Sequence, residues 1–336
     1  DHSPYQNYSA FAGNDLLLDI DQLVREGLLS QEEVNEELGL IQKKIRNQEK
    51  ADFYLAEKSK VGLFRKAYHR FNRLMEAGRN NKTESSFLSW DNFLKFQEEN
   101  RFWLEDYCLY AALKRYYDYA PWYLWDKDIA ERKEERMVYY REKLSDEISY
   151  QCFLQYTFLT QWLNLKNYAH GKGILIVGDL PIYVSSDSAD TWANRELFFL
   201  DPKGYPYKVA GVPPDYFSKT GQLWGNPIYR WEEAAKDGYL WWVKRVKFSL
   251  KMYDYLRLDH FRGFEAFWAV PGGEETAVNG VWLKGPGKRF FETLFKNIGD
   301  LPFIAEDLGL ITPEVRNLKN LFGFPGMKVF QFSPQI

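Results

Sequence analysis

Short apolar runs that end in acidic residues or turn signals recur after residue 170, and they constrain the fold more than any other feature. The runs are GKGILIVGDLPIYV (171–184), YDYLRLDHFRGF (253–264), LPFIAEDLG (301–309) and GMKVFQF (326–332). Such runs are typical of buried strands, and helical or loop segments separate them. Strands that alternate with helices pair in parallel. We therefore predict an α/β fold, with a (β/α)8 TIM barrel as its architecture.

The first half of the chain carries helical signals instead. Apolar residues recur every three or four positions in long runs at 87–117 and 147–170. A shorter helix is predicted in SQEEVNEELG, with Ser30 as its N-cap, Glu33 completing a capping box and Gly39 at its end. The barrel is therefore expected to carry large, mainly helical insertions.

Two further segments of the second half have local signals. ITPEVRNLKNLFG is predicted to form a helix after Thr312, with Pro313 at its first position and Gly323 past its end. GPGKR (285–289) lacks the spacing of a phosphate-binding loop, so we predict a helix-entry turn there.

We expect the chain to have three parts. We predict a barrel-adjacent segment at 1–20, a mainly helical insertion at 21–150 and the catalytic barrel core at 151–336. Within the core, VAGVPPDYFSKTGQLWGNPIY (209–229) is too rich in Pro and Gly for regular structure and too rich in Asp, Tyr and Trp to be filler. Long structured loops on barrels are usually functional, so we predict an active-site loop.

Charged and apolar residues alternate in the strand YLRLD. Side chains of a strand alternate between its faces, so Tyr255, Arg257 and Asp259 share one face while Leu256 and Leu258 share the other. The charged face suits a functional site. A purely structural ion pair between Arg257 and Asp259 is equally compatible with the pattern, because a buried charge needs a partner.

Two predicted strands each end in a carboxylate, Asp259 and Glu306. A pair of carboxylates across a sugar is what glycosidic bond chemistry requires, one to attack or activate water and one to protonate the leaving oxygen. We expect Arg257 to keep Asp259 ionised, and the apolar residues before Glu306 to raise the pKa of that carboxyl. The alternative for Glu306 is an acid at a helix start, a place that Asp307 can also fill.

The composition of the chain excludes some classes of binding partner. The 336 residues include 44 Lys and Arg against 47 Asp and Glu, a net charge of −3, which leaves no basic excess to attract nucleic acid or an anionic membrane. No apolar window is long enough to span a membrane, and the first residues do not resemble a signal peptide. We expect a cytoplasmic protein that acts on a neutral or small polar substrate.

Aromatic residues make up 18% of the chain, with 12 Trp, 23 Tyr and 25 Phe. Most must lie in the core, but an exposed minority suits sugar binding, because the C–H face of a pyranose lies flat on an aromatic ring.

Cys108 and Cys152 lie in apolar, helical surroundings, which predicts buried thiols rather than a disulfide. The four histidines are scattered, so we predict no metal and no cofactor.

Five segments carry a family resemblance. In chain order, DHSPYQNYSAFAGN, GDLPIYVSSDSADTWAN, GVPPDYFSKTGQLWGNPIY, LRLDHFRGFEAFWAVP and PFIAEDLGLITPEV together resemble the amylomaltases, the 4-alpha-glucanotransferases of glycoside hydrolase family 77. The resemblance implies a retaining double displacement on maltooligosaccharides and other α-1,4-glucans. A glycosyl-enzyme ester forms, and the 4-hydroxyl of another glucan or of glucose then accepts the sugar.

The resemblance also implies roles for individual residues. Asp259 matches the nucleophile and Glu306 the general acid/base. Arg257 matches an arginine beside the nucleophile, and Asp179 matches an aspartate on an earlier strand that orders the site. A buried salt bridge between Arg257 and Asp179 is the structural alternative for these two residues.

Substrate-binding roles follow from the same resemblance. Tyr5 of SPYQ resembles a ring that stacks on the sugar nearest the scissile bond, and His260 is expected to contact substrate. Asp215 and Trp224 belong to the 209–229 loop, which in this family folds over the cleft and excludes water, favouring transfer over hydrolysis. An isolated core tyrosine and simple loop packing are the structural alternatives.

The sequence departs from the family pattern in two places. The family normally has a further barrel segment before SPYQ, and a later His-Asp motif supplies a third catalytic carboxylate. Neither is present between Asp1 and Ile336, so we expect a fragment of a longer protein with an incomplete barrel. Two other functions therefore stay open: a non-catalytic glucan-binding fragment and a retaining α-glucan hydrolase.

Overall fold

Two compact units are present in the computed structural model, which describes residue 3 and residues 5–42, 52–76 and 89–330. The first, which we call the sheet unit, comprises Asp1–Phe11, Lys114–Met137 and Lys166–Ile336. The second, the helical unit, comprises Ala12–Leu113 and Val138–Leu165. The two units therefore interleave along the sequence.

Helices dominate the chain up to residue 171. In chain order they are α1 (Ile20–Arg25), α2 (Gln31–Gln42), α3 (Phe53–Glu76), α4 (Trp90–Tyr116), α5 (Lys127–Ala130), α6 (Glu134–Lys143) and α7 (Ser145–Gly171), with short 3-10 turns at Asp15–Leu17 and Trp122–Leu124. The long helices predicted at 87–117 and 147–170 are confirmed as α4 and α7, except that residues 87 and 88 lie outside the described residues.

The predicted capping box of α2 is confirmed, but its predicted end is wrong. The Ser30 amide donates to Glu33 Oε2 at 2.8 Å, and the Glu33 amide donates to Ser30 Oγ at 3.3 Å. Gly39 lies inside α2, which continues to Gln42. An interior glycine costs a helix only about 1 kcal/mol relative to alanine, so packing against α3 can carry the helix past it.

Aromatic rings fill the core of the helical unit. Phe71 of α3 lies 5.1 Å from Phe153 of α7 and 5.4 Å from Phe93 of α4, measured between ring centroids. Cys108 and Cys152 are buried and free of disulfide bonds, as predicted. The apolar periodicity of these helices therefore marks a true core.

Strands appear after residue 176. They are β1 (Val177–Leu180), β2 (Lys208–Val212), β3 (Gln222–Pro227), β4 (Tyr255–Leu258), β5 (Ala266–Pro271), β6 (Val281–Lys284) and β7 (Phe303–Ala305). Helices lie between and after them: α8 (Ala189–Ala193), α9 (Trp231–Lys236), α10 (Leu240–Met252), α11 (Gly287–Ile298) and α12 (Pro313–Leu321), with 3-10 turns at Arg195–Leu197 and Phe261–Phe264. The predicted helix after Thr312 and the predicted helix entry at GPGKR are confirmed as α12 and α11.

The parallel sheet joins three of the four predicted strands, in the order β1-β4-β7. Asp179 of β1 pairs with Arg257 of β4, and Leu258 of β4 pairs with Ala305 of β7. Helix α10 directly precedes β4 in the chain and packs against both β1 and β4. The alternation of parallel strands and helices is therefore confirmed for this part of the chain.

The fourth predicted strand, at 326–332, does not form within 326–330. Gly326 makes a single parallel bridge to Ala305 at the edge of β7. The next amide, that of Met327, donates to the Asp307 side chain at 2.9 Å instead of to a strand. Residues 331 and 332 lie outside the described residues.

An antiparallel sheet, in the order β3-β2-β5-β6, was not predicted. It includes 209–212 and 222–227 of the 209–229 stretch, because β2 and β3 form a hairpin there. The expectation of irregular structure was wrong for a physical reason. A Cβ at Gly211 or Gly221 would collide with the carbonyl oxygen of Gln222 or Val212, so these glycines permit close strand approach instead of breaking the strands.

Within the described ranges, no helix is long and apolar enough to cross a membrane.

Candidate functional site

Charged side chains gather where the strands of the parallel sheet end. Asp259 follows β4 directly, and its amide donates to the Leu180 carbonyl at the end of β1 at 3.1 Å. Glu306 follows β7 directly, and its amide donates to the Leu258 carbonyl of β4 at 3.0 Å. Because the ladder continues through both residues, the two carboxylates leave the carboxyl edge of the sheet from neighbouring strands.

Arg257 connects the charges of β1 and β4. Its Nη1 lies 2.6 Å from Asp179 Oδ1 and 2.9 Å from Asp259 Oδ1. Both ion pairs considered as structural alternatives are therefore present, and they share one nitrogen. The side chains of Arg257 and Asp259 are 26% and 28% exposed, so solvent reaches the pair.

The Glu306 carboxylate is fixed by two backbone amides. His260 N–H donates to Oε2 at 3.0 Å, and Leu308 N–H donates to Oε1 at 2.9 Å. Glu306 lies well before the first turn of α12, so the helix-start alternative does not apply to it. Asp307 also lies before α12, and its carboxylate pairs with Lys319 in the last turn of that helix at 2.5 Å.

The pKa values of both carboxyls are raised. Burial raises the pKa of Asp259, and the attraction of Arg257 only partly offsets that effect. Burial likewise raises the pKa of Glu306, against the two amide donors, and the negative charge of Asp259 adds to the rise. Arg257 favours the ionised form of Asp259, as predicted, but it does not bring the pKa below its ordinary value. Burial outweighs it because the carboxyl is largely removed from water.

Tyr5 reaches the same charge cluster. Its hydroxyl donates to Asp179 Oδ2 at 3.1 Å, and the side chain is 44% exposed. Burial and the nearby charges of Asp179 and Asp259 raise the pKa of this phenol, so it remains a donor at neutral pH. The alternative of an isolated core tyrosine is therefore wrong.

His260 is held in an unusual way beside the carboxylates. Its backbone is left-handed, with φ of 52°, and its ring meets Trp224 edge to face at 4.8 Å between centroids. Burial, with a smaller contribution from Arg262, lowers the pKa of His260 to about 4. The imidazole is consequently neutral at pH 7, and its buried Nε2 has no hydrogen-bond partner among the described residues.

Of the two residues predicted from the 209–229 stretch, only Trp224 contacts another predicted site residue in the described structure. Asp215 Oδ1 accepts the amides of Phe217 and Ser218 at 2.9 and 2.7 Å, which closes its own turn. The tip of this turn exposes Tyr216 and Phe217 by 97% and 86%. The structure therefore brings Tyr5, Asp179, Arg257, Asp259, Glu306, His260 and Trp224 together and leaves Asp215 in the hairpin turn.

Sequence reasoning missed one residue of this cluster. Arg257 Nε donates to the Met327 sulfur at 3.3 Å. Met327 belongs to the GMKVFQF run, which we considered only as a strand, so its thioether gave no signal of its own.

No group of three or more His, Cys, Asp or Glu side chains in the described residues is arranged to hold a metal ion.

Comparison with known proteins identifies the family. The family model for 4-alpha-glucanotransferases, glycoside hydrolase family 77, matches residues 1–335. The 4-alpha-glucanotransferase of Clostridium butyricum is 46% identical over 333 residues, covering 98% of this chain and 64% of that protein. Its counterpart from Aquifex aeolicus is 45% identical over 333 residues, covering 99% of this chain and 63% of that protein.

The chain is also similar to solved structures of amylomaltases. Amylomaltase from Streptococcus agalactiae, in complex with acarbose, superposes with a TM-score of 0.87 at 39% identity, covering 98% of this chain and 63% of that one. Amylomaltase from Corynebacterium glutamicum, at 17% identity and a TM-score of 0.72, covers 100% of this chain and 44% of that one and shows a likeness of fold alone. The chain spans less than two thirds of the length of these relatives. It belongs to the 4-alpha-glucanotransferase family, glycoside hydrolase family 77.

Proposed function

We propose that this chain carries the catalytic carboxylates of a 4-alpha-glucanotransferase that acts on maltooligosaccharides and α-1,4-glucans. The observation that carries the proposal is the placement of Asp259 and Glu306 at the ends of adjacent parallel strands, with Arg257 paired to Asp259. Family membership supports the same chemistry. Acarbose, bound by the Streptococcus agalactiae amylomaltase, is proposed as a ligand of this site too.

The proposed reaction is a double displacement. Asp259 attacks the anomeric carbon, the bond to the leaving 4-oxygen breaks, and protonated Glu306 gives that oxygen its proton. The glucosyl ester on Asp259 is then attacked by the 4-hydroxyl of a second glucan, whose proton returns to Glu306. The raised pKa of Glu306 supports its acid step, and its two amide donors support the ionised form that the second step needs.

Further residues are proposed to hold the sugar and the nucleophile. Arg257 and Asp179 fix the position of Asp259, since one guanidinium nitrogen contacts both carboxylates. The half-exposed ring of Tyr5 is proposed to stack on the sugar. His260 and Trp224 are proposed to contact substrate as a packed pair. Asp215 is proposed to act indirectly, because it closes the turn that presents exposed aromatic rings.

The architecture around the site is part of the proposal. We infer that β1, β4 and β7 belong to a (β/α)8 barrel, supported by their parallel order and by the likeness to amylomaltase. An incomplete barrel, the division into parts at 1–20, 21–150 and 151–336, and a cytoplasmic location stay predictions.

Maltotriose incubation tests the function. Transfer by the full-length protein should release glucose and build longer maltodextrins in step. A hydrolase would release sugars without longer products, and a glucan-binding fragment would bind maltotriose and leave it intact. Either result would contradict the proposal.

A trapping experiment tests the roles of the two carboxylates. With a maltotriosyl fluoride, whose leaving group needs no proton, Glu306→Gln should still form a covalent ester, because Asp259 is intact. Asp259→Asn should form none. Mass spectrometry should locate the ester on Asp259, and an ester on any other residue would overturn the assignment.

A further inference from the structure

The segment after α12 returns to the parallel sheet beside β7. The Ala305 amide donates to the Pro325 carbonyl at 2.8 Å, and Gly326 forms a parallel bridge with Ala305. Pairing then stops, because the next amide turns to a side chain. Met327 is thereby delivered to the sheet edge that carries Asp259 and Glu306.

Asp307 fixes where Met327 lies. Its Oδ1 accepts the Met327 amide at 2.9 Å, and its Oδ2 pairs with Lys319 Nζ at 2.5 Å. Burial alone would raise the pKa of Asp307, but Lys319 and the Met327 amide lower it, so the carboxylate stays ionised at neutral pH. A Cβ at Gly326 would overlap this ion pair, which explains the glycine there.

The Met327 sulfur completes the environment of Arg257. The guanidinium is planar, so acceptors at Nη1 and at Nε together set both its position and its rotation. Asp179 and Asp259 occupy Nη1, and the Met327 sulfur accepts from Nε at 3.3 Å. A thioether is a weak acceptor, but it excludes water from the Nε side of a half-buried arginine.

We propose that Met327 is a positioning residue of the transferase site, which acts through Arg257 to hold the nucleophile in place. The inference rests on the proposed function. With Met327 in place, the Nη1 nitrogen points at both carboxylates. Without it, water competes for Nε and the guanidinium can rotate away from Asp259.

A change in Arg257 orientation has a defined electrostatic consequence at Asp259. Arg257 and the His260 amide lower the pKa of this carboxyl, and the charge of Asp179 raises it. The Glu306 carboxyl and the Tyr5 hydroxyl are its other neighbours. Arg257 is the cation that the described contacts place beside it, so loosening Arg257 raises the pKa of Asp259 further. Because Asp259 must be ionised to attack, activity should then fall at the acid side of the pH profile.

Substitutions of Met327 test the inference. Met327→Leu keeps the volume and removes the acceptor, while Met327→Gln supplies a stronger oxygen acceptor. For Met327→Leu we expect kcat to fall about fivefold with KM within about twofold, and the acid limb of the kcat/KM profile to move up by about half a pH unit. Met327→Gln should return both values to within about twofold of the wild type. Met137→Leu, the same change at a buried position of α6, should alter neither.

Two results would overturn the proposal. One is a Met327→Leu enzyme with the kcat and pH profile of the wild type. The other is an equal fall in the Leu and Gln variants without a pH shift, which indicates lost packing alone. A titration of Asp259 by carbon-13 NMR, assigned with Asp259→Asn, measures the same pKa without turnover. An unchanged Asp259 titration in Met327→Leu contradicts the inference, whereas absent transfer by the wild type contradicts only the proposed function.

Discussion

The aspartates at the two ends of β4 have pKa values shifted in opposite directions. At the amino end, Asp254 accepts the Ile176 amide at 2.7 Å, contacts His170 Nε2 at 2.9 Å and lies 3.4 Å from Lys166 Nζ. Burial would raise the pKa of Asp254, but these partners lower it. At the carboxyl end, burial outweighs Arg257 and the pKa of Asp259 is raised.

The difference separates a carboxylate whose charge the fold favours from the one that we propose as the nucleophile. Asp254 has its charge compensated by donors on three sides, so its ionised form strengthens the fold. Asp259 lies beside other acids, and the fold opposes its charge, as is common where groups are placed for chemistry. In barrels of parallel strands the carboxyl edge carries function and the amino edge stability. The proposed roles of Asp254 and Asp259 agree with this division.

The largest effect that tests this contrast is on activity. Asp259→Asn should lower maltotriose transfer at least about ten-thousandfold, because no other group can form the ester. Its free energy of unfolding at pH 7 should change by less than about 1 kcal/mol, since the charge it removes is opposed by burial. Urea unfolding beside the transfer assay measures both. A large loss of stability would show that Asp259 is structural.

An intermediate effect is expected in the pH dependence of stability. His260 has a folded pKa of about 4 against an ordinary 6.5, so between these values the unfolded chain binds the extra proton. Acidification through this window should therefore remove about 3 kcal/mol of stability from the wild type relative to His260→Asn, a residue that tolerates the left-handed backbone.

Comparison with the variant isolates His260 from a second titrating group. Burial raises the pKa of Asp190 to about 6, and this favours the folded state on acidification, the opposite sign. Asp190 is present in both proteins, so its contribution cancels. Parallel stability curves for the two proteins between pH 6.5 and 4 would show that His260 is not a buried neutral imidazole.

The smallest effect concerns the amino end. Asp254→Asn should cost about 2 kcal/mol of unfolding free energy at pH 7, because it leaves the Lys166 ammonium without its counter-charge, while kcat/KM stays within about threefold. The lowered pKa of Asp254 means that its contribution is present above the unfolded pKa of about 3.9 and is lost as pH falls further. Chemical denaturation at pH 7 and pH 3 checks the difference. An activity loss like that of Asp259→Asn would break the contrast between the two ends.

Local chemistry made much of the fold predictable. The apolar periods of α4 and α7, the capping box of Ser30 and Glu33 and the Thr312–Pro313 start of α12 all depend on neighbours within one or two turns. The strands of the parallel sheet were also visible, because buried runs between helical segments have few other interpretations. Gly39 and the glycines of the 209–229 stretch were misjudged because a glycine marks either a break or a close approach, and only packing distinguishes the two.

The sequence by itself determined which residue types stand at the ends of β4 and β7, and hence that Asp259 and Glu306 meet at one edge. Strand alternation and parallel pairing require it. Only the tertiary structure decided their charges and partners. Burial of Asp259, the His260 amide on Glu306, the neutral His260 and the Met327 sulfur on Arg257 all depend on chain segments distant in sequence. Desolvation and hydrogen bonding act through space, so no local pattern could have fixed them.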